Sequence, residues 1–130
     1  MTLIVRSESP TPERSTVWLE GRLDAATYGV FDAALHDVTP LVDNGGTLIV
    51  ELSALDYISS AGLRSLAQLR RQMQDRGGRT LLLNPQPQVK KVFDIVKAVP
   101  VAEVFASVAE LDQYLDHMQR QITGTTGTTG

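Results

Sequence analysis

The order of short β-prone runs and amphipathic segments predicts an α/β fold with a mostly parallel, mixed β-sheet and about four helices. The segments alternate as β-β-α-β-α-β-α-β-α, and right-handed crossovers normally join the strands of such a chain in parallel. The N-terminal strand can run antiparallel at the edge. With 130 residues that are 42% hydrophobic, the chain suits one domain. We predict this domain over residues 1–120 and a disordered Thr/Gly tail over 121–130.

The first part of the chain predicts two strands and a helix. Leu3 to Val5 and Val17 to Leu19 are β-prone, and the two prolines within residues 7–12 predict a loop between them. An apolar stripe at helical spacing then predicts the first helix, with Pro40 either kinking it or marking its frayed end. The stripe consists of Tyr28, Phe31, Leu35, Val38 and Val42.

The second part continues the alternation. Thr47 to Leu52 is nearly continuous in apolar and β-branched residues, which predicts a central strand covered on both faces. Residues 53–58 are then expected to form a turn, and the second helix to start at Ser60 or beside it. A strand at Arg79 to Leu83, a third helix, a short strand at Val101 to Phe105 and a last helix complete the prediction.

Composition argues against several classes of function. The chain has no cysteine, which excludes disulfides, thiolate metal sites and a cysteine nucleophile. A formal net charge of −3 and 5% aromatic residues do not favour a nucleic-acid surface. The sequence shows neither a signal peptide nor an apolar run long enough for a membrane span, so we expect a cytoplasmic protein without direct membrane insertion.

Catalytic patterns are also sparse. The two histidines, His36 and His117, lie outside any motif and are expected to face solvent. No group of residues has metal-ligand spacing, and the sequence signatures of nucleotide hydrolysis, dinucleotide binding and α/β-hydrolases are missing. We therefore predict a protein that is not an enzyme and needs neither a cofactor nor a metal.

The most distinctive stretch is the strand-turn-helix junction from Leu52 to Leu63. The simplest interpretation is that Ser59 or Ser60 is an N-cap whose hydroxyl accepts a bond from a free backbone N–H, worth about 1 kcal/mol.

The junction and its surroundings also resemble the STAS domain, which is found in bacterial anti-sigma-factor antagonists and in the cytoplasmic ends of sulfate transporters. The resemblance spans Val17 to Leu115. It is carried by Gly21-Arg22-Leu23-Asp24-Ala25-Ala26-Thr27, Leu48-Ile49-Val50-Glu51-Leu52, Tyr57-Ile58-Ser59-Ser60-Ala61-Gly62-Leu63, Arg76-Gly77-Gly78-Arg79, Asn84-Pro85, Val89 and Val92-Phe93.

This resemblance implies an anti-sigma-factor antagonist that regulates sigma-factor-dependent transcription. Its partners would be a serine-kinase anti-sigma factor, which phosphorylates the antagonist and so releases it, and a phosphatase that resets it. The family's frequent wording is Asp-Ser-Ser/Thr-Gly-Leu, so the acceptor corresponds to Ser60, with Ser59 as the alternative. Ser59 stands where the family usually has Asp, and Ala61 replaces the second hydroxyl residue.

The resemblance further implies a partner-binding surface and leaves a homodimer open. Its residues are Asp24, Thr27, Ser59, Ser60, Ala61, Gly62 and Arg64. Structural interpretations compete for three of them: Asp24 as N-cap of the first helix, Gly62 as a site of tight helix-sheet packing, and Arg64, like Arg71, as a solvated charge.

Two other functions remain open at this point. One is a STAS accessory subunit of a membrane transport complex, either a lipid-transport ATPase or an anion transporter. The other is a small-molecule sensor or enzyme that uses a crevice at the strand ends.

Overall fold

The computed structural model describes residues 2–98 and 104–128, with side chains as far as Thr123. Within these residues, four strands and four α-helices follow one another in the order ββαβαβαα, and a single 3-10 turn at Thr39–Leu41 follows the first helix. The strands are β1 (Leu3–Thr11), β2 (Arg14–Leu23), β3 (Thr47–Ile58) and β4 (Arg79–Leu83). The helices are α1 (Tyr28–Val38), α2 (Ser60–Asp75), α3 (Pro87–Ala98) and α4 (Val108–Thr128).

The sheet has the predicted mixed and mostly parallel topology. Its strand order is β1-β2-β3-β4, where β1 pairs antiparallel with β2 and the other two pairs are parallel. The antiparallel N-terminal strand lies at the edge, as the sequence allowed. Three of the five residues of the predicted strand Val101 to Phe105 lie outside the described residues, and the other two, Val104 and Phe105, are not in a strand.

The described helices cover strand β3 on one face only, so the prediction of a strand buried on both faces is wrong. Leu48, Val50 and Leu52 are fully buried in the core that the four helices share, whereas Ile49 and Glu51 on the other face are partly exposed. A run of apolar residues fits either arrangement, and the helices, all packed on one side, decide which one occurs.

Two predicted connections are parts of strands. β1 extends through the predicted loop to Thr11, with an irregular register between Glu8 and Thr11 where Pro10 lies. An edge strand tolerates such a proline because one of its sides needs no N–H donors. The predicted turn at residues 53–58 continues β3, and two register shifts against β2 accommodate the extra residues as bulges.

The helices follow the predicted stripes with small differences. Phe31 and Leu35 of α1 are buried, but Tyr28 is 41% exposed, and Pro40 lies in the 3-10 turn that forms the frayed end of the helix. Helix α4 continues across residue 120, the predicted end of the domain, and the disorder of 121–130 stays a prediction. None of the helices in the described part of the chain has the length and apolarity needed to cross a membrane.

Candidate functional site

The junction between β3 and α2 places two serines in different surroundings. Ser59 is the N-cap residue of α2 in extended conformation and is 5% exposed, whereas Ser60 is the first residue of the helix and is partly exposed. The N–H of Ser59 still donates to the carbonyl of Leu23 on β2 at 3.0 Å, whereas the carbonyl of Ser59 already accepts the helical N–H of Leu63 at 2.9 Å. The strand therefore passes directly into the helix.

The N-terminus of α2 is capped by a residue from another helix. Asp112 of α4 accepts the backbone N–H of Ser60 on Oδ1 at 2.8 Å and the Ser60 hydroxyl on Oδ2 at 2.8 Å. A carboxylate is well suited to this place, because the first N–H groups of a helix lack intrahelical partners and the helix dipole favours negative charge.

Neither serine hydroxyl acts as the cap that the simplest interpretation expected. The Ser59 side chain makes no cap hydrogen bond, and its hydroxyl oxygen is buried without a hydrogen-bond partner among the described residues. The Ser60 hydroxyl donates to Asp112 and does not accept from the helix. The cap is thus supplied from 52 residues away.

A second side chain of α4 binds the end of β3. Gln119 accepts the N–H of Ile58 on Oε1 at 3.0 Å and donates Nε2 to the Ile58 carbonyl at 2.7 Å. Asp112, Leu115 and Gln119 lie on one face of α4, since residues three, four and seven apart align on a helix. Leu115 between them is fully buried in the core, and Asp112 and Gln119 on either side of it join this face of α4 to the junction by polar contacts.

Gly62 is required by close packing of α2 against the sheet. A Cβ atom at this position would lie 2.8 Å from side-chain carbons of Leu23 and Ile58 and 2.9 Å from the Leu23 carbonyl oxygen. The glycine therefore faces the sheet, in agreement with the packing interpretation.

Asp24 shapes the turn that precedes α1. Its Oδ1 accepts the N–H of Ala26 at 3.0 Å, and its own N–H donates to Thr27 Oγ1 at 3.0 Å. Thr27, the N-cap residue, is 5% exposed and donates its hydroxyl to the carbonyl of Arg22 at 2.7 Å. Asp24 is therefore not the N-cap of α1. Its side chain closes an Asx-type turn with Ala26, just before the N-cap residue Thr27.

Arg22 connects the two helix starts. Its guanidinium lies 3.4 Å from Asp24 Oδ2 and stacks 3.8 Å above the ring centre of Tyr57. The pKa of the Tyr57 hydroxyl is raised to about 12, mainly because the group is buried. The carboxylate of Asp116 on α4 contributes to this rise, and its effect exceeds the lowering by Arg22. The Tyr57 phenol thus stays protonated beside the acidic face of α4.

The predicted partner-binding residues differ in what they expose. Thr27, Ser59, Ala61 and Gly62 are buried, so their side chains offer a partner little surface. Asp24 and Ser60 are partly exposed, and Arg64 is exposed. His36 and His117 face solvent as predicted, and no group of acidic or histidine side chains among the described residues could hold a metal.

A groove of about 510 Å³ lies beside Ser60, between α2, α3 and the start of α4. Its floor is apolar and its rim carries three cations, Arg64, Arg70 and Lys97. The apolar residues that line it include Leu63, Leu66, Leu82, Phe93, Val96 and Leu111.

Sequence reasoning did not find Asp112 and Gln119. Both lie in a helix whose apolar stripe was visible, but polar side chains on a helix normally face solvent, and no local motif sets these two apart. Their partners are 52 and 61 residues away, so only the folded chain brings them to the junction.

Comparison with known proteins gives the same family as the motifs. The structure is similar to that of the anti-sigma factor antagonist SpoIIAA in its unphosphorylated form, with 28% identity and a TM-score of 0.57 over 70% of this chain and 82% of that one. SpoIIAA of Bacillus in its phosphorylated form matches with 27% identity and a TM-score of 0.59 over 75% and 86% of the two chains.

In sequence, the protein named "Putative anti-sigma factor antagonist BtrV" from Bordetella bronchiseptica is 35% identical over 83 residues, which are 59% of this chain and 72% of BtrV. The family model for the STAS domain matches residues 10–111, which include all four strands in whole or part and the whole of α2. On this match, the chain belongs to the STAS domain family.

Proposed function

We propose that this protein is an anti-sigma-factor antagonist that binds a serine-kinase anti-sigma factor and is switched off by phosphorylation at Ser60. The observation that carries the proposal is the partly exposed Ser60 hydroxyl at the start of α2, in a STAS domain related to antagonists for which phosphorylated and unphosphorylated forms are known. By binding the anti-sigma factor in the cytoplasm, the protein would free a sigma factor and so regulate transcription.

The geometry favours Ser60 over Ser59 as the acceptor. Ser59 is buried and its hydroxyl points into the protein, whereas Ser60 is accessible beside an open groove. In the transfer, the Ser60 hydroxyl loses its proton, a bond forms between its oxygen and the γ-phosphorus of ATP, and the bond from that phosphorus to ADP breaks. The amide groups of the first turn of α2 then lie close to the new anion.

The charge of the phosphate explains how the partner would be released. A phosphoserine carries about −1.5 to −2 charges at neutral pH. A partner that places acidic or apolar groups over Ser60 would have to bury this charge against them, which costs several kcal/mol. Removal of the phosphate by a phosphatase would restore binding.

The docking surface combines exposed charges with an apolar floor. Asp24, Ser60 and Arg64 contribute polar contacts, and the groove beside Ser60 offers leucine and phenylalanine side chains with a cationic rim. This combination supports recognition of an acidic, partly apolar segment of the anti-sigma factor.

Intact-mass measurement after incubation with a candidate kinase-type anti-sigma factor from the same genome and Mg-ATP tests the acceptor. We expect the mass of one added phosphoryl group on the wild type and on Ser59→Ala, and none on Ser60→Ala. Phosphorylation retained in Ser60→Ala would contradict the assignment of Ser60.

Binding of the same anti-sigma factor tests the surface. Ser60→Asp and Arg64→Glu should weaken binding at least tenfold, whereas Arg71→Glu, two turns farther along the same face of α2, should change it little. Co-purification with membrane transport components, unaffected by Ser60→Asp, would instead indicate an accessory subunit of a transport complex.

A further inference from the structure

Ser59 stands before Ser60 at the position where the family usually has an aspartate. In the folded protein, Asp112 of α4 places a carboxylate beside Ser60 instead. Both oxygens of Asp112 are used by Ser60, one by its N–H and one by its hydroxyl, each at 2.8 Å. The residue is partly exposed and comes from the first turns of α4, so this contact joins two elements that the chain separates widely.

We propose that Asp112 is a positioning residue that ties α4 to Ser60, so that phosphorylation of Ser60 detaches the start of α4 from the junction. This inference rests on the proposed function for the modification itself, but the contact between Asp112 and Ser60 can be tested without any kinase.

Electrostatics forbids the present contact in the phosphorylated protein. The hydroxyl hydrogen that Asp112 accepts is lost when the phosphoryl group is attached, and three phosphate oxygens take its place. Two anions would then lie at hydrogen-bond distance with no proton between them, and both would compete for the same helix N-terminus.

The contact of Asp112 with Ser60 is the one on which this repulsion acts at hydrogen-bond distance. Leu115, one turn farther on, is fully buried in the core, and Gln119, two turns farther on, holds the end of β3. We therefore expect the first turns of α4 to move while the rest of the helix stays on the sheet and on α3, which it contacts more extensively than α2.

The displacement would also change the docking groove. Leu111, the neighbour of Asp112, lines the groove beside Ser60 together with Leu63 of α2. Phosphorylation would therefore act on the anti-sigma factor twice, through the charge of the phosphate and through the loss of Leu111 from the apolar floor.

Linkage makes the coupling reciprocal. If phosphorylation weakens the attachment of α4, then an attached α4 must oppose phosphorylation by the same factor. Replacing Asp112 with asparagine should keep the size of the side chain, remove the like charge and thereby raise the extent of phosphorylation.

Hydrogen exchange of the α4 amides tests the contact without a kinase. Ser60→Asp, which places a carboxylate beside Asp112, should speed exchange at residues 111–116 on the order of tenfold, while β2 and β3 keep their protection. In the Asp112→Asn background, the same Ser60→Asp change should have less than a third of that effect. Asp94→Asn, which removes a surface carboxylate of α3, is the matched control and should leave the response to Ser60→Asp unchanged.

Unchanged exchange in Ser60→Asp, equal acceleration in the two backgrounds, or uniform acceleration across the sheet would each overturn the inference. With the kinase present and the reaction brought to equilibrium at a fixed ratio of ATP to ADP, Asp112→Asn should be phosphorylated at least threefold more extensively than the wild type, and equal or lower phosphorylation would overturn the reciprocal part. If no kinase modifies Ser60 at all, the proposed function fails while the exchange experiment still decides the contact.

Discussion

Helices α1 and α2 each follow a strand of the same sheet, yet their N-termini are organised in different ways. At α1, the contacts are local: Asp24 and Thr27 bond to each other and to backbone groups within five residues. At α2, the cap is Asp112, which lies 52 residues away in the last helix. A local cap belongs to the same chain segment as its helix, whereas a distant cap can move away from the helix. The accessible Ser60 lies at the helix start that has the distant cap.

The largest contrast between the two helix starts should come from their glycines. Gly62→Ala would place a methyl group against the backbone of Leu23 and should lower the free energy of unfolding by about 3 kcal/mol. Gly29→Ala in α1 has open space around it and should raise that free energy by up to about 1 kcal/mol. Urea unfolding measures both, and equal effects would show that the close contact of α2 with the sheet is absent.

The second largest difference between the two helix starts should come from their carboxylates, Asp112 and Asp24. Asp112→Ala should cost about 2 kcal/mol, because the N–H and the hydroxyl of Ser60 both lose a charged partner. Asp24→Ala should cost about 1 kcal/mol, since the turn it closes can bind water instead. Hydrogen exchange separates the two variants: only Asp112→Ala should loosen α4, and loosening by Asp24→Ala would contradict the local character of the α1 start.

Removal of the two buried N-cap hydroxyls, those of Thr27 and Ser59, should change the free energy of unfolding in different ways. Thr27→Val removes a hydroxyl that bonds to Arg22 and Asp24, and should cost about 1.5 kcal/mol. Ser59→Ala removes a buried hydroxyl that has no hydrogen-bond partner in the described part of the chain, and should be neutral or slightly stabilising. Thermal unfolding of both variants checks this, and a marked loss in Ser59→Ala would show that its hydroxyl does have a partner.

The smallest effect on the free energy of unfolding at neutral pH should come from Tyr57, which lies near the end of β3, just before α2. Its pKa of about 12 in the folded protein exceeds the ordinary value of 10.0, so the folded state holds the phenol proton more tightly than the unfolded state. The stabilisation is complete below pH 10 and is lost as the pH rises towards 12. Denaturant unfolding from pH 9 to 12 should therefore show a steeper decline for the wild type than for Tyr57→Phe, and parallel curves would argue against this assignment.

The sequence was informative where periodicity and neighbouring residues decide the structure. The helical stripes located α1 to α4, and the position of Ser60 at the start of a helix followed from the apolar spacing after β3. The sequence was less informative about burial of the sheet, which depends on where the helices pack. Ile49 is β-branched like a residue of a strand buried on both faces, but it stays partly exposed, because none of the described helices covers its side of the sheet.

Two polar stretches show why turn-like composition can mislead. Residues 7–12 hold two prolines and yet belong mostly to β1, because an edge strand needs donors on one side only. Residues 53–58 are mixed in polarity and yet continue β3, because bulges let the strand carry extra residues beside β2. In both places, pairing with β2 makes the stretch a strand, and the local sequence does not reveal this pairing.

The sequence by itself determined that Ser60 begins a helix after a strand in a STAS domain, since spacing, motif and helix-start chemistry are properties of neighbouring residues. Only the tertiary structure decided that Ser59 is buried, that Gly62 faces Leu23 and that Asp112 caps α2. The physical reason is that a hydrogen bond across 52 residues depends on where two helices pack, and packing is fixed by the whole core at once.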